Sequence, residues 1–245
     1  MGILRHFPTH PAVIVPITGK TRPAIREAAV AIAVTAADLV EWRADCFTEL
    51  DDMPEVVAVA RRIKEITGKP LIFTIRSTAE GGLGQLSAEE YAFTTLRVAI
   101  DALDSDDYVD VELHHPGTAA AMKLRHSLRD LAGTIISHHD FAGTPSPDDM
   151  YGLLEQCAAL GDGAVKLAVT PHCPSDVAAL LQSVARFTER YEVPTIAVSM
   201  GKLGVASRAV GHLFGSCATF ATLGEASAPG QLSYHKMRRL LDELS

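Results

Sequence analysis

The run Ala164-Val165-Lys166-Leu167-Ala168-Val169 places a lysine inside what its β-branched neighbours mark as a strand, and that setting points to covalent chemistry. Strand side chains alternate between two faces, so Val165, Leu167 and Val169 share one and Lys166 shares the other with Ala164 and Ala168. The bulky face suits packing against helices. The alanines leave room beside the amine, as a ligand pocket requires. Burial favours the uncharged amine, whose lone pair can attack a carbonyl carbon. The structural alternative is a lysine at a sheet edge, with its stem on apolar surface and its head in water. A closed barrel, which has no edge strand, would remove that alternative.

Other strand-like runs carry charge at the same period. Leu39–Arg43 sets Glu41 and Arg43 on one face, against Val40 and Trp42 on the other. Those two charges could meet a polar ligand in a cavity or form an internal ion pair. Tyr108–Leu113 repeats the pattern with Asp110 and Glu112, for which a structural role is at least as good a reading. Arg76 follows the run Leu71–Ile75, and Glu80 lies just beyond it. The pairs His114-His115 and His138-His139 raise the question of a metal. Adjacent strand residues face opposite ways, however, and two ligands on one strand want the spacing HxH, so no metal is expected. One histidine of the second pair can face the cavity and serve as an acid/base group near neutral pH.

These residues need a scaffold that aims them at one point, and the chain offers a repeating one. Strand-like runs at Ala12–Ile17, Leu39–Arg43, Leu71–Ile75, Tyr108–Leu113, Thr134–Ser137, Ala164–Val169, Thr195–Ser199 and Cys217–Leu223 are each followed by a helical stretch. The helices are predicted to begin near Pro23, Pro54, Ser87, Thr118, Pro147, Ser175, Val205 and Tyr234. Ser87 with Glu90 spells a capping box, and Ser146 before Pro147 pairs an N-cap with a proline in the first turn. Repeated βα units of this number predict an α/β fold, a single-domain (β/α)8 TIM barrel over residues 1–245. In that architecture the C-terminal ends of the strands carry the active site. A doubly wound open sheet competes, but it usually announces itself by a Gly-rich phosphate loop after the first strand. Ile17-Thr18-Gly19-Lys20 has one glycine, and Gly81-Gly82-Leu83-Gly84 reads as a flexible βα loop.

Composition narrows the partners. A formal net charge of −8 opposes general binding to nucleic acid or to an anionic membrane, although a few converging arginines could still hold a small anion. No stretch is long and apolar enough to span a bilayer, Met1 to His10 lacks a signal-peptide layout, and His6 stands where a myristoylation motif starting at Gly2 wants Ser or Thr. A cytoplasmic protein is expected. Cys46, Cys157, Cys173 and Cys217 are scattered without metal-ligand spacing and read as reduced thiols.

Six segments then stand out by their joint order and spacing: Glu41-Trp42-Arg43-Ala44-Asp45; Phe73-Thr74-Ile75-Arg76 leading to Glu80-Gly81-Gly82; Ser137-His138-His139-Asp140-Phe141; Val165 to Val169; Ser199-Met200-Gly201 through Gly204 to Ser207-Arg208; and Ala226-Ser227-Ala228-Pro229-Gly230-Gln231. Spread over nearly the whole length, they resemble the type I 3-dehydroquinate dehydratases of the shikimate pathway. The resemblance implies a small-molecule substrate, 3-dehydroquinate, that forms an imine with Lys166, and a general acid/base in His139, oriented and polarised by Glu80. It implies that Arg208 binds the substrate carboxylate and that Glu41, Arg43 and Arg76 hold the substrate or organise the pocket. Ser227 and Gln231 match a loop that closes over the ligand. It further implies a homodimer using neither metal nor organic cofactor. His138 occupies a motif position that is often another aromatic residue, and both position and strand parity assign the acid/base role to His139. Two other readings stay open here: a class I aldolase-like lyase that breaks a carbon–carbon bond through a lysine imine, and a non-catalytic metabolite-binding barrel.

Overall fold

In the computed structural model, which describes Leu4 and residues 10–126, 132–224 and 227–244, the predicted alternation of strand and helix is realised. The expectations placed on Gly2, His6 and Ala226 fall outside the described residues. The strands are β1 (Ala12–Ile17), β2 (Leu39–Arg43), β3 (Leu71–Thr74), β4 (Tyr108–Glu112), β5 (Gly133–Asp140), β6 (Ala164–Val169), β7 (Thr195–Ser199), β8 (Ala218–Thr222) and β9 (Leu232–Ser233). Between them run α1 (Arg22–Ala33), α2 (Met53–Thr67), α3 (Ala88–Asp101), α4 (Thr118–His126), α5 (Pro147–Leu160), α6 (Pro174–Arg190), α7 (Val205–Val210) and, after β9, α8 (Tyr234–Leu244).

All pairings are parallel, in the order β7-β6-β5-β4-β3-β2-β1-β8-β9. The ends of this curled sheet meet just before β8. There Ser216 bridges Thr195, Cys217 N donates to Thr195 O at 2.7 Å, and Ala197 N donates to Ser216 Oγ at 3.1 Å. The chain is thus the expected parallel α/β barrel, and Lys166 lies on a strand paired on both sides, by β5 and β7, rather than at an edge. β9, a two-residue strand on β8, was not foreseen, because Leu232-Ser233 is too short to show a period. β5 extends three residues beyond the expected Ser137, since paired histidines and an aspartate look like loop in sequence yet continue the ladder with β6.

Strand alternation divides the apolar residues into two cores. Val40, Trp42, Phe73, Val111, Val165 and Leu167 face the helices, where Phe187 and Leu180 of α6 and Val56 and Ile63 of α2 cover them. Leu39, Ile72, Tyr108, Ile135, Ala164, Ile196 and Ala218 point inward and fill the bottom of the barrel, plugged by Leu4, whose N donates to the Tyr108 hydroxyl at 3.1 Å. One inward step further along β2 to β6 the residues turn polar: Glu41, Thr74, Asp110, Ser137 and Lys166. The sheet therefore builds a dry floor and sets the charges above it.

Helix starts follow the local chemistry. Ser87 and Glu90 form the reciprocal capping box, Ser146 Oγ accepts from Asp149 N at 3.2 Å, and Gly68 ends α2 at φ +62°, a conformation that favours glycine. No helix among the described residues is long and apolar enough to cross a membrane, and all four cysteines are free. Replacing the floor residue Ile196 by Ala should cost about 2–5 kcal/mol of unfolding free energy. Ser87→Ala, which removes one exposed cap, should cost about 1 kcal/mol. Urea denaturation measures both, and equal losses would contradict the assigned core.

Candidate active site

Lys166 sits midway along β6, only 6% exposed, with Nζ 3.2 Å from Glu41 Oε1, 3.2 Å from Asp110 Oδ2 and 4.6 Å from the centroid of the Phe220 ring. The alanines do flank it along the strand, and the closed sheet adds partners that the strand's own sequence does not show. The lysine is ion-paired with two carboxylates contributed by β2 and β4. Asp110, read from sequence as at least as much structural as functional, thus touches the lysine directly. The available signal was its inward parity, the same as that of Glu41.

Arg76, just past the end of β3, is the hub of the polar layer. Nη1 donates to Glu80 Oε2 at 3.2 Å, Glu112 Oε1 at 3.1 Å and Ser137 Oγ at 3.0 Å, while Nη2 donates to Asp110 Oδ1 at 2.7 Å. Burial alone would lower the Arg76 pKa, but the surrounding carboxylates raise it well above the ordinary value. Burial likewise works against ionising Asp110, yet Arg76 and Lys166 hold its carboxyl well below the usual range. Arg43 is gripped as a fork by Asp45, with Nε to Oδ1 and Nη2 to Oδ2 both at 2.8 Å. Asp45 also accepts from the backbone N–H groups of Arg76 at 3.2 Å and Leu83 at 3.1 Å, which fixes the loop after β3.

His139, near the C-terminal end of β5, faces the same cavity. Glu80 Oε2 accepts from its backbone N–H at 3.1 Å and lies 2.8 Å from Nδ1. Burial would raise the Glu80 pKa, but the two nearby imidazoles and Arg76 outweigh it and hold the carboxyl at about 2. An ionised carboxylate only accepts, so Nδ1 carries the proton and Nε2 keeps its lone pair for the cavity. Burial, with Arg76 beside it, pushes the His139 pKa down to about 3 against the opposing pull of Glu80. The imidazole is therefore a neutral base at pH 7. His138 turns to the other face of β5, its ring edge-on to His114 with centroids 5.0 Å apart.

Arg208, on the short helix α7, is 2% exposed and has no carboxylate partner among the described residues. Its Nη2 donates to Pro229 O at 3.0 Å, its Nε is buried with no acceptor, and burial lowers its pKa to about 10. A buried guanidinium so poorly supplied with acceptors is what a carboxylate-binding site requires. The segment 227–231 lies over it. Ser227 N donates to Gln231 Oε1 at 3.0 Å, Gln231 Nε2 donates to Ser227 Oγ at 2.9 Å, and Gly201 N donates to Pro229 O at 3.1 Å. Gly230, at φ +79°, passes so close to Gly201 that a Cβ would lie 2.2 Å from its carbonyl oxygen.

Glu41, Arg43, Arg76, Glu80, His139, Lys166, Arg208, Ser227 and Gln231 all line one cleft of about 530 Å³, counting its open mouth, with Phe141, Val198, Met200 and Phe220 as apolar walls. Every site residue expected from sequence is therefore brought together. Among the described residues no three His, Cys, Asp or Glu side chains converge to hold a metal ion.

The model of the family "Type I 3-dehydroquinase" matches residues 13–245. A 3-dehydroquinate dehydratase of Klebsiella pneumoniae is 39% identical over 240 residues, covering 95% of this chain and 93% of the relative. The crystal structure of 3-dehydroquinate dehydratase from Geobacillus kaustophilus superposes with a TM-score of 0.90 at 33% identity, over 96% of this chain and 91% of that one. The type I enzyme of Clostridium difficile, solved with covalent modified comenic acid, gives a TM-score of 0.87 at 32% identity over 96% and 92%. By its sequence over nearly its whole length and by its barrel, the chain belongs to the type I 3-dehydroquinase family.

Proposed function

We propose that this chain converts 3-dehydroquinate to 3-dehydroshikimate through an imine on Lys166, with His139 moving the protons. The observation that carries the proposal is the convergence, in one cleft, of a buried amine, an imidazole anchored at Nδ1 and a buried guanidinium with no carboxylate partner among the described residues. Glu41, 3.2 Å from Nζ, is in reach to take a proton from the ammonium before it attacks the ketone, while Asp110 at the same distance stays ionised and holds the amine in place. Addition of the amine and loss of water give the iminium, a far better electron sink than the ketone.

With the iminium in place, Nε2 of His139 removes a proton from the adjacent carbon and the C–H electron pair moves into an enamine. The enamine then expels the hydroxyl one carbon further on, which leaves as water with the proton held by His139. Hydrolysis of the remaining imine frees the product and the lysine. Glu80, bonded to Nδ1, holds the ring in the tautomer this sequence needs and stabilises the imidazolium between the two proton transfers. Arg208 binds the substrate carboxylate, the lock formed by Ser227 and Gln231 covers the ligand, and Glu41 together with Arg43 meets its hydroxyls. Arg76, its donors already engaged by three carboxylates and a serine, organises the pocket rather than gripping the ligand. Covalent modification in the Clostridium difficile relative supports an imine-forming site. On this reading the protein is a cytoplasmic homodimer serving aromatic amino acid biosynthesis, and sedimentation equilibrium tests its assembly.

Two substitutions test the assignments. His139→Ala should lower kcat by about 10²–10⁴-fold in an ultraviolet assay for the conjugated product, while an imine adduct still accumulates in the mass spectrum. Wild-type turnover by this variant would remove His139 from the mechanism. Arg208→Lys keeps the charge but loses the planar fork, and should raise KM by about 10- to 100-fold. An unchanged KM would contradict the carboxylate role.

A further inference from the structure

Glu80 is used unevenly. Its Oε2 takes the backbone N–H and Nδ1 of His139 and a donor from Arg76, at 3.1, 2.8 and 3.2 Å. Its Oε1 faces Nδ1 of His138 at 3.4 Å, and that nitrogen is buried without a hydrogen-bond partner. Adjacent residues of β5 on opposite faces thus meet the same carboxylate, because the short 3-10 turn Thr78–Glu80 after β3 places it at the strand's edge. Glu80, His138 and His139 also line a second cleft, bordered by Glu112, His114 and His115, that Lys166 does not line. The His114 ring lies edge-on to the His138 ring at 5.0 Å.

We propose that His138 is a positioning residue for the catalytic pair: its Nδ1–H donates to Oε1 of Glu80 and so limits how strongly that carboxylate pulls on the proton of His139. A closure of a few tenths of an ångström brings the pair from 3.4 Å into hydrogen-bond range and satisfies a buried donor and an under-used acceptor together. A carboxylate that shares its charge with a second donor stabilises the imidazolium less, so His139 gives its proton back to the leaving hydroxyl more readily. The charged and titratable groups around the two imidazoles are Arg76 and Glu80 on the β3 side, Asp110 and Glu112 on β4 with His114 and His115 beyond it, and Lys166 on β6. The β6 register partner of His138 is the apolar Leu167.

The inference rests on His139 being the proton-transfer group, and its test is the pH profile of kcat/KM with 3-dehydroquinate. His138→Phe removes the donor and keeps a ring, whereas His138→Asn keeps an N–H close to where Nδ1 lies. The acid limb should move to higher pH by about 0.5 to 1 unit in His138→Phe and overlay the wild type in His138→Asn. Should the phenylalanine variant not fold, His138→Leu carries the same expectation. A donor-free variant that overlays the wild type, or an asparagine variant that shifts as far as the donor-free one, overturns the proposal. Loss of turnover in His139→Ala alongside such a result would leave the assigned chemistry standing, while full activity of His139→Ala would remove that chemistry itself.

Discussion

One guanidinium holds the polar half of this barrel together. Arg76 bonds Glu80, Asp110, Glu112 and Ser137 at once, and through them it reaches both reactive groups: Asp110 touches Lys166, and Glu80 orients His139. Each of these ions, if buried alone, would cost several kcal/mol of desolvation. The cluster is therefore sustainable only as a set. Removing Arg76 would leave three carboxylates facing one another in a space from which water is largely excluded, and neither the lysine nor the imidazole would keep its bearing.

That constraint explains the vertical division of the interior. The inward positions nearest the bottom are Leu39, Ile72, Tyr108, Ile135, Ala164, Ile196 and Ala218, and together with Leu4 they seal the barrel with apolar volume. The next inward positions carry the ions. A dry floor keeps water from reaching the ion pairs from below, which strengthens them, and the cleft above remains the ligand's path of entry. β7 and β8 stay apolar on this level, with Val198, Met200 and Phe220. The charges are thus gathered on β2 to β6, and the opposite wall can pack against the carbon skeleton of a ligand.

Much of this was legible in the amino-acid sequence, because a strand's two-residue period is a local property. Parity pointed Lys166, Glu41 and Arg43 inward, motif position together with parity picked out His139, and the capping signals at Ser87 and Ser146 marked real helix starts. The lesser role read into Asp110 and the silence of the sequence on the partners of Lys166 share a cause. Partners of Lys166 lie 56 and 125 residues away, and only the register of the closed sheet brings them to 3.2 Å. That Arg208 meets no carboxylate among the described residues, where Arg43 and Arg76 are paired, is likewise a fact about space. The same holds for the contact between Glu80 and both histidines. Parity separates His138 from His139 but does not show that a single turn after β3 will serve both.

The central claim is that the amine of Lys166 becomes covalently bonded to the substrate's ketone carbon. Reduction with sodium borohydride in the presence of 3-dehydroquinate, followed by peptide mass spectrometry, tests it most directly. The account predicts a stable secondary amine on the peptide containing Lys166, absent from Lys166→Met and present in His139→Ala. An adduct on any other lysine, or none in a preparation that is turning over, would contradict it.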